Sequence, residues 1–203
     1  MIAVIDYGVG NIFSIMSSLK YIGAEAVVVS DSEGIKNAEK LLLPGVGAFC
    51  DAAEKLRETG LGDVITGEAE RGKPLLGICL GMQLLFEKSL EFGEHPGLGL
   101  LEGVISPLAP VVPEGFKIPQ IGWNQLRFTD GESPLFKYVA EGEYVYFVHS
   151  YYASGCDAVT SAVCDYGVPV TAAVGKGRVF GTQFHPEKSG DTGLNILRAF
   201  AEM

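Results

Sequence analysis

The amino-acid sequence predicts an α/β fold in which a mostly parallel central sheet is covered by helices and continues into an antiparallel β extension. In the first 88 residues, short apolar runs alternate with helical patterns, as they do in the βαβ units that build parallel sheets. The second half is rich in short β-branched and aromatic runs, which favour antiparallel strands. The chain has 203 residues and no repeat or linker, so we expect a single domain over 1–203.

Four apolar runs predict the parallel strands, because each is too short for a helix and is mostly hydrophobic, as buried strands are. These runs cover residues 2–5, 26–30, 40–44 and 74–78. Between and after them, apolar side chains recur every three or four residues, which is the period of an amphipathic helix. The predicted helices cover residues 11–22, 48–59, 61–71 and 80–88.

The second half carries β-rich segments followed by one helical pattern. The segments cover residues 121–128, 143–149, 158–164, 168–175 and 178–184. Gly-Lys-Gly at 175–177 predicts a hairpin turn between the last two of them. A final helix is predicted over 191–202.

Composition excludes several classes of protein. Hydrophobic residues make up 47% of the chain and charged residues 20%, which is enough apolar material for a substantial core. The net charge of −10 opposes binding to nucleic acid or to an anionic membrane surface. The N-terminal MIAVIDYGVGN lacks the features of a signal peptide, and no run approaches the ~18 apolar residues of a membrane span. We therefore expect a cytoplasmic protein.

The four cysteines are expected to be reduced thiols in that compartment. They are scattered without a C-x-x-C pair, so the sequence indicates no metal site, and no motif calls for a cofactor. Cys50, Cys156 and Cys164 lie in no distinctive context and are assigned to packing. Cys79 is different, because glycines lie two residues to either side of it.

Ligand sites in open α/β sheets form at the carboxyl ends of the parallel strands, where the chain places DYGVGN, PGVGAF (44–49) and GICLGM. The last contains Gly77-Ile78-Cys79-Leu80-Gly81, a nucleophile elbow with cysteine in place of serine. Such a turn strains the nucleophile's backbone and needs glycine where side chains would collide. It also sets the sulfur at a helix N-terminus, which favours the thiolate. The alternative is a small buried cysteine beside two incidental glycines.

A thiol nucleophile needs a base, and the base needs a group that orients it. His185 follows a predicted strand, and Glu187 comes two residues later across Pro186. Because proline fixes one backbone angle, the carboxylate can reach the far nitrogen of the imidazole. Cys79, His185 and Glu187 thus form a candidate catalytic triad, although His185 taken by itself is typical of a histidine at a strand end. His95 lies in a loop next to a proline and is expected at the surface.

PGVGAF suits the second half of an oxyanion hole. Gly45 and Gly47 leave backbone N–H groups free to face a ligand. The N–H that follows the nucleophile can point toward the same developing charge. The alternative is an ordinary glycine turn that enters a helix.

GICLGMQ with a downstream HPE resembles the class I, triad-type glutamine amidotransferases. Within that class, DYGVGN, LPGVGAF, ICLGMQLLFEKS, KIPQIGWNQL, YFVHSYY and TQFHPEKSG are similar to the glutaminase subunits of imidazole glycerol phosphate synthases, which act in histidine biosynthesis. The resemblance runs from residue 2 to the final helix. It implies the fold of this class and hydrolysis of L-glutamine through a thioester, with ammonia passed to a partner.

The resemblance also implies a role for each matching position. Cys79 would attack the amide carbon, His185 would carry the proton to the leaving ammonia, and Glu187 would orient His185. The implied oxyanion hole consists of Val46, Gly47 and Leu80. The implied substrate-binding residues are Gln83, Glu91, His149, Ser150 and Tyr151.

The implied partner is a (β/α)8 cyclase subunit in a heterodimer, because these 203 residues leave no room for a barrel of about 250 more. Ammonia would pass through a protected interface to a phosphoribulosyl-formimino aminoimidazole carboxamide nucleotide. The products would be imidazole glycerol phosphate and an aminoimidazole carboxamide ribonucleotide. The interface candidates are Asn11, Trp123, Tyr146 and Lys188. Their alternatives are a helix N-cap for Asn11, a core aromatic for Trp123 and a solvated base for Lys188.

Three other functions stay open at this point. A glutaminase subunit of anthranilate, aminodeoxychorismate or pyridoxal phosphate synthase would share the elbow and HPE, but DYGVGN, GWN and FVHSYY favour the histidine pathway. A stand-alone cysteine hydrolase or peptidase would be active without a partner. A non-enzymatic binding module would not need the triad residues.

Overall fold

An eight-stranded sheet forms the centre of the molecule in a computed structural model that describes residues 1–129 and 133–203. Five neighbouring strands are parallel: β1 (Ile2–Ile5), β2 (Ala26–Val29), β3 (Lys40–Leu43), β4 (Leu75–Ile78) and β14 (Val179–Thr182). Their spatial order is β2-β1-β3-β4-β14. The antiparallel extension continues from β14 through β13 (Pro169–Lys176), β12 (Thr160–Asp165) and β9 (Arg127–Phe128). The predicted fold class is confirmed.

Helices cover both faces of this sheet, as the apolar strands require. Helices α2, α3 and α4 pack on one face, and α1 and α6 pack on the other. Alternate residues of β1 point into the two cores, Ala3 and Ile5 into the first and Ile2 and Val4 into the second. The helices are α1 (Ile12–Tyr21), α2 (Ser32–Asn37), α3 (Phe49–Glu58), α4 (Leu61–Glu70), α5 (Leu80–Leu84) and α6 (Gly190–Ala201).

The predicted helix over 80–88 is wrong in its second half, because α5 ends at Leu84 and a strand follows. From Phe86 onward the backbone pairs with two distant segments, with Phe86 opposite Leu101 and Ser89 opposite both His95 and Ile105, so tertiary strand pairing overrides the helical spacing. Strand β5 (Phe86–Ser89) instead joins a four-stranded sheet that the sequence did not predict. The other members of this sheet are β6 (His95–Pro96), β7 (Leu101–Pro107) and β11 (Tyr151–Ser154).

A separate two-stranded antiparallel ribbon replaces part of the predicted extension. The ribbon consists of β8 (Gln120–Gln125) and β10 (Tyr144–His149). The predicted segment over 121–128 is therefore divided, since only its last residues join the central sheet as β9. The predicted hairpin between β13 and β14 is present, and Gly177 takes the positive φ of 61° that its turn requires.

Two further properties bear on function. Among the described residues, no helix is long and apolar enough to cross a bilayer. The carboxyl ends of β3, β4 and β14 are adjacent in the sheet order, so the loops that follow these three strands meet at one edge. The loop after β14 leads into a 3₁₀ turn (Pro186–Lys188) that packs against the first turns of α6.

Replacing Gly193 by alanine is expected to lower the free energy of unfolding by about 3 kcal/mol, because a Cβ there would overlap the carbonyl oxygen of Pro186. Gly67→Ala is the matched control. It also lies inside a helix, but its Cβ would come no closer than 3.8 Å to Arg71, so helix propensity should stabilise this variant by about 0.5–1 kcal/mol. Urea denaturation followed by circular dichroism measures both changes. Equal stabilities of the two variants would contradict the close packing of α6 on the 3₁₀ turn.

Candidate active site

Cys79 occupies a strained turn between β4 and α5. It has φ 54° and ψ −110°, a conformation that non-glycine residues rarely adopt. A Cβ at Gly77 would lie 2.6 Å from the carbonyl oxygen of Gly81, and one at Gly81 would overlap the carbonyl oxygen of Leu43. Because neither glycine has a Cβ, the backbone at Gly77 can pack directly against Gly81, and the backbone at Gly81 can pack against the Leu43 carbonyl at the end of β3. The Cys79 N–H donates to the carbonyl of Thr182 at 2.7 Å, which also fixes the elbow to β14.

His185 and Glu187 form a buried pair beside the elbow. Nδ1 of His185 lies 2.8 Å from Oε1 of Glu187, and their side chains are 2% and 1% exposed. The Ser189 hydroxyl donates to the His185 carbonyl at 2.6 Å and so helps to hold the turn. Because the carboxylate accepts at Nδ1, the proton on Nδ1 is fixed and Nε2 is the nitrogen left for proton transfer. That atom is buried and makes no hydrogen bond of ordinary geometry to a described residue.

The electrostatics of the site favour a charged His185. Burial lowers the pKa of this imidazole, but the adjacent Cys79 sulfur and the Glu187 carboxylate outweigh it and raise the pKa to about 9. The imidazole is therefore protonated at neutral pH, and its charge stabilises a neighbouring thiolate. A cysteine beside an imidazolium is the arrangement found at an activated cysteine nucleophile.

A second buried histidine, His149, has the opposite character. Burial and the charge of His185 outweigh a hydrogen bond to the Tyr151 carbonyl and lower its pKa to about 4. Nδ1 donates to that carbonyl at 2.8 Å, so a neutral ring carries its proton on Nδ1. Nε2 is then a buried acceptor without a partner among the described residues.

One cavity of about 280 Å³ brings the predicted site residues together. Cys79 and His185 open into it, and Glu187 lies behind His185. All eight predicted oxyanion and substrate residues line the same cavity: Val46, Gly47, Leu80, Gln83, Glu91, His149, Ser150 and Tyr151. Sequence reasoning missed two further lining residues, Pro119 and Val148. Val148 lies in the YFVHSYY block, but nothing in its type indicated a site.

The proposed oxyanion loop, residues 44–49, is held by contacts at its start and is exposed at its tip. The Tyr7 hydroxyl donates to the Pro44 carbonyl at 2.8 Å, and a Cβ at Gly45 would come within 2.9 Å of that hydroxyl. By contrast, Val46 is 40% exposed, and Gly47 has φ 102° with open space around it. Because glycine adopts many backbone conformations at little cost, Gly47 gives the 46–47 peptide freedom to turn. Tyr7 was not predicted, although DYGVGN placed it at the correct edge of the sheet.

Glu91 is held at the rim of the cavity by the start of α3. Its Oε2 accepts from the Phe49 N–H at 2.6 Å, which caps a helix that has no side-chain cap of its own. The neighbouring Phe92 has φ 54°, is 81% exposed and packs edge-on to Tyr151. The second carboxylate oxygen of Glu91 stays available for a cationic group of a ligand.

A larger cavity of about 570 Å³ lies elsewhere, between α3, α4 and residues 95–98. Cys50 and His95 both line it, so Cys50 is not a core residue and His95 is half-buried rather than fully at the surface. Burial and the neighbouring Asp51 raise the pKa of the Cys50 thiol. This shift disfavours the thiolate, which is the nucleophilic form of a cysteine.

Three of the four interface candidates form one cluster. Trp123 and Tyr146 pack edge-on at 6.0 Å between ring centroids, and the ammonium of Lys188 lies 5.9 Å from the Tyr146 centroid. Trp123 is 51% exposed, so it is not the core aromatic that was its alternative. Asn11 caps α1, as its alternative had it, by accepting from the Ser14 N–H at 3.5 Å.

A family model described as glutamine amidotransferase class-I matches residues 3–203. The chain therefore belongs to the class-I glutamine amidotransferase family, which confirms the enzyme class that the elbow and HPE implied. A chain of the PurLQS structure from Thermotoga maritima has a TM-score of 0.78 at 23% identity and covers 99% of this chain and 97% of that one. The glutaminase domain of Trypanosoma brucei CTPS, solved with bound acivicin, has a TM-score of 0.65 at 16% identity and covers 99% and 93%. At these identities the likeness shows the fold.

The narrower resemblance is confirmed by relatives that match along their whole length. The imidazole glycerol phosphate synthase subunit HisH of Caldanaerobacter subterraneus subsp. tengcongensis is 51% identical over 204 residues, covering 100% of this chain and 98% of its own. The subunit of the same name from Bacillus cereus is 53% identical over 200 residues, covering 98% and 93%.

The two buried histidines are expected to titrate at opposite ends of the pH scale. The raised pKa of about 9 keeps His185 protonated at pH 7, and it should lose its proton as the pH rises through 9. The lowered pKa of about 4 keeps His149 neutral until the pH falls to that value. Nuclear magnetic resonance of the ring Cε1–H groups measures both, since the chain has only three histidines. His149→Asn and His95→Gln assign the signals. A neutral His185 at pH 7 would refute the charged pair.

Proposed function

We propose that this chain is the glutaminase subunit of an imidazole glycerol phosphate synthase in histidine biosynthesis. It hydrolyses L-glutamine to glutamate and delivers the ammonia to a (β/α)8 cyclase subunit. The observation that carries the proposal is the cavity in which the Cys79 elbow, the His185–Glu187 pair and all eight oxyanion and substrate residues meet. The full-length relatives named as this subunit support the choice of synthase.

The reaction follows from the charges at the site. The Cys79 thiolate attacks the side-chain amide carbon of glutamine, and the carbonyl oxygen takes up the negative charge. The Leu80 N–H and the peptide at 46–47, once turned toward the cavity, stabilise that oxyanion. The intermediate collapses to a thioester as the imidazolium of His185 gives its proton to the departing nitrogen. Ammonia leaves, and the imidazole is now neutral.

Water then completes the cycle. Neutral His185 takes a proton from water, which attacks the thioester carbonyl and forms a second oxyanion in the same hole. Collapse of this intermediate releases glutamate and restores the Cys79 thiolate beside a protonated His185. Glu187 holds the ring through both steps and stabilises its positive charge. No group outside the chain is needed to balance protons or electrons.

The ribbon β8–β10 is the proposed contact surface for the cyclase subunit. It exposes Ile121 at 60%, Trp123 at 51% and Tyr144 at 53%, and exposed apolar groups of this kind typically mark protein interfaces. The ribbon is also joined to the base, since the His185 N–H donates to the Tyr146 carbonyl at 3.0 Å. Ammonia released at His185 is thus formed next to this surface. All four thiols are free, which agrees with a cytoplasmic location for the complex.

The alternatives lack comparable support. A stand-alone hydrolase has no need of an exposed aromatic ribbon bonded to its base. A binding module has no need of a strained cysteine or a charged imidazole. Subunits of other synthases would share the triad, but the 51–53% identical full-length relatives favour the histidine pathway.

Cys79→Ala is expected to abolish glutamine use while leaving synthesis from ammonium salts by the complex intact. Without the sulfur no thioester forms, whereas the cyclase still receives ammonia from solution. Glutamate release and imidazole glycerol phosphate formation are measured with the chain alone and with the cyclase subunit and its nucleotide. Cys50→Ala is the control thiol and should behave as the wild type. Brisk partner-independent hydrolysis by the wild type, or loss of ammonia-dependent synthesis in Cys79→Ala, would contradict the proposal.

Trp123→Ala is expected to weaken binding of the cyclase subunit by about 30-fold, as loss of a central interface aromatic costs about 2 kcal/mol. Tyr21→Ala is the matched control. Tyr21 is 77% exposed, but it lies at the end of α1, near the amino ends of the parallel strands and away from the site at their carboxyl ends. Isothermal titration calorimetry compares the two variants. The ribbon is not the interface if both bind with the wild-type Kd.

A further inference from the structure

We infer that Gln183 is a catalytic residue of the glutaminase, whose side-chain amide donates a hydrogen bond to the Cys79 sulfur and stabilises its thiolate. This inference rests on the proposed function, since it adds a residue to the same site. Gln183 is fully buried. Its Nε2 lies 3.7 Å from Sγ of Cys79, which is within hydrogen-bonding distance for the large sulfur atom.

The fold places Gln183 beside the nucleophile through strand register. Thr182 of β14 lies opposite Ile78 of β4, so the next residues along, Gln183 and Cys79, are also neighbours. Side chains two apart in an extended segment share one side, and Gln183 and His185 are two apart. The segment after β14 therefore directs both its amide and its imidazole toward the sulfur.

The direction of this hydrogen bond follows from a chain of contacts that begins at a backbone carbonyl. The Tyr151 carbonyl can only accept, so the Gln83 amide atom 3.0 Å away is the nitrogen. That same nitrogen lies 3.0 Å from the Gln183 amide, which must present its oxygen there. The other end of the Gln183 amide is then its NH₂ group, and this is the end that faces Sγ. The sulfur is the acceptor, as a thiolate must be.

Burial makes this contact significant. An amide moved out of water loses its hydration and needs a partner to compensate. Among the described residues, Sγ of Cys79 is the only partner of the Gln183 amide nitrogen. A hydrogen bond to a charged acceptor is about twice as strong as one between neutral groups. The buried amide therefore gains more from the thiolate than from the thiol, and it shifts the balance toward the reactive form.

The same chain determines how Gln83 meets the substrate. Both N–H groups of Gln83 are used, one by Tyr151 and one by Gln183. Only the amide oxygen of Gln83 is left for a ligand in the cavity. Gln83 thus accepts a hydrogen bond, which suits an N–H of the substrate ammonium group, and Gln183 sets this orientation.

The test is the pH dependence of Cys79 alkylation by iodoacetamide, which needs neither glutamine nor the cyclase subunit. Cys50→Ser is the background, because Cys50 is the one cysteine that is not buried. Gln183→Met keeps the length of the side chain and removes the donor. Gln183→Glu keeps the shape and replaces the donor by a negative charge. We expect the apparent pKa of Cys79 to rise by about one unit in the first variant and by more in the second.

The chain contains a matched control in Gln120. This residue is also fully buried and donates its amide to a cysteine, Cys164, at 3.4 Å. Gln120→Met removes a contact of the same kind outside the catalytic cavity and should leave the Cys79 titration unchanged. Mass spectrometry verifies that Cys79 is the alkylated site in each protein. In the complex, Gln183→Met should lower kcat/KM for glutamine at least tenfold and leave ammonia-dependent synthesis unchanged.

Unchanged alkylation profiles in folded Gln183→Met and Gln183→Glu would overturn the inference while leaving the proposed function in place. If the cyclase subunit did not stimulate glutamate release by the wild type, the proposed function itself would be wrong. If either variant fails to fold, the Cys50→Ser protein itself supplies the answer through the side-chain amide signal of Gln183 in nuclear magnetic resonance. The chemical shift of that signal should change as Cys79 titrates, and a chemical shift that stays constant through the titration would refute the contact.

Discussion

The close approach of backbone to backbone at the nucleophile elbow is the constraint on which the active site depends. Gly81 lies so close to the Leu43 carbonyl that no side chain fits between them, and the Cys79 N–H is bonded to Thr182. The elbow is thereby fixed to the carboxyl ends of both β3 and β14. The first strand leads into the proposed oxyanion loop and the second leads to His185, so one tight turn brings the proposed nucleophile, base and oxyanion donors to the same edge. A site assembled on fixed strand ends loses little of its geometry to thermal motion.

The two histidines of the cavity differ in protonation because their surroundings differ. His185 faces a carboxylate and the sulfur, and its pKa rises to about 9. His149 is buried and lies near the charge of His185, and these two effects outweigh its hydrogen bond to a backbone carbonyl and lower its pKa to about 4. One ring can therefore give a proton to the leaving nitrogen, while the other accepts a hydrogen bond and carries no charge. Two cationic rings in so small a space would repel each other, and the contrast in their partners prevents this.

Sequence patterns predicted the central sheet well because its strands are short, apolar and bounded by turn residues. They failed at 86–89, where helical spacing continued past Leu84 but the backbone pairs with distant strands on both sides. The elbow and HPE predicted Cys79, His185 and Glu187 through local chemistry. Gln83 and Glu91 came only from a family resemblance, since each has the type and spacing of a solvent-facing residue. Tyr7 and Gln183 were missed because their importance lies in contacts across the sheet, which no local pattern encodes.

The ribbon β8–β10 gives a physical route by which a partner can influence the chemistry. Tyr146 is part of the exposed aromatic cluster, yet its carbonyl accepts from the His185 N–H and its own N–H donates to Ser189, which in turn donates to the His185 carbonyl. A partner that shifts the ribbon therefore shifts the backbone on both sides of the base. Among the described residues, none forms such a hydrogen bond with the tip of the oxyanion loop, where Val46 is exposed and a Cβ at Gly47 would meet nothing within 4 Å. The proposed base is thus coupled to the proposed contact surface through hydrogen bonds, while Gly47 leaves the oxyanion peptide free to turn, and partner control of glutamine hydrolysis would use both elements.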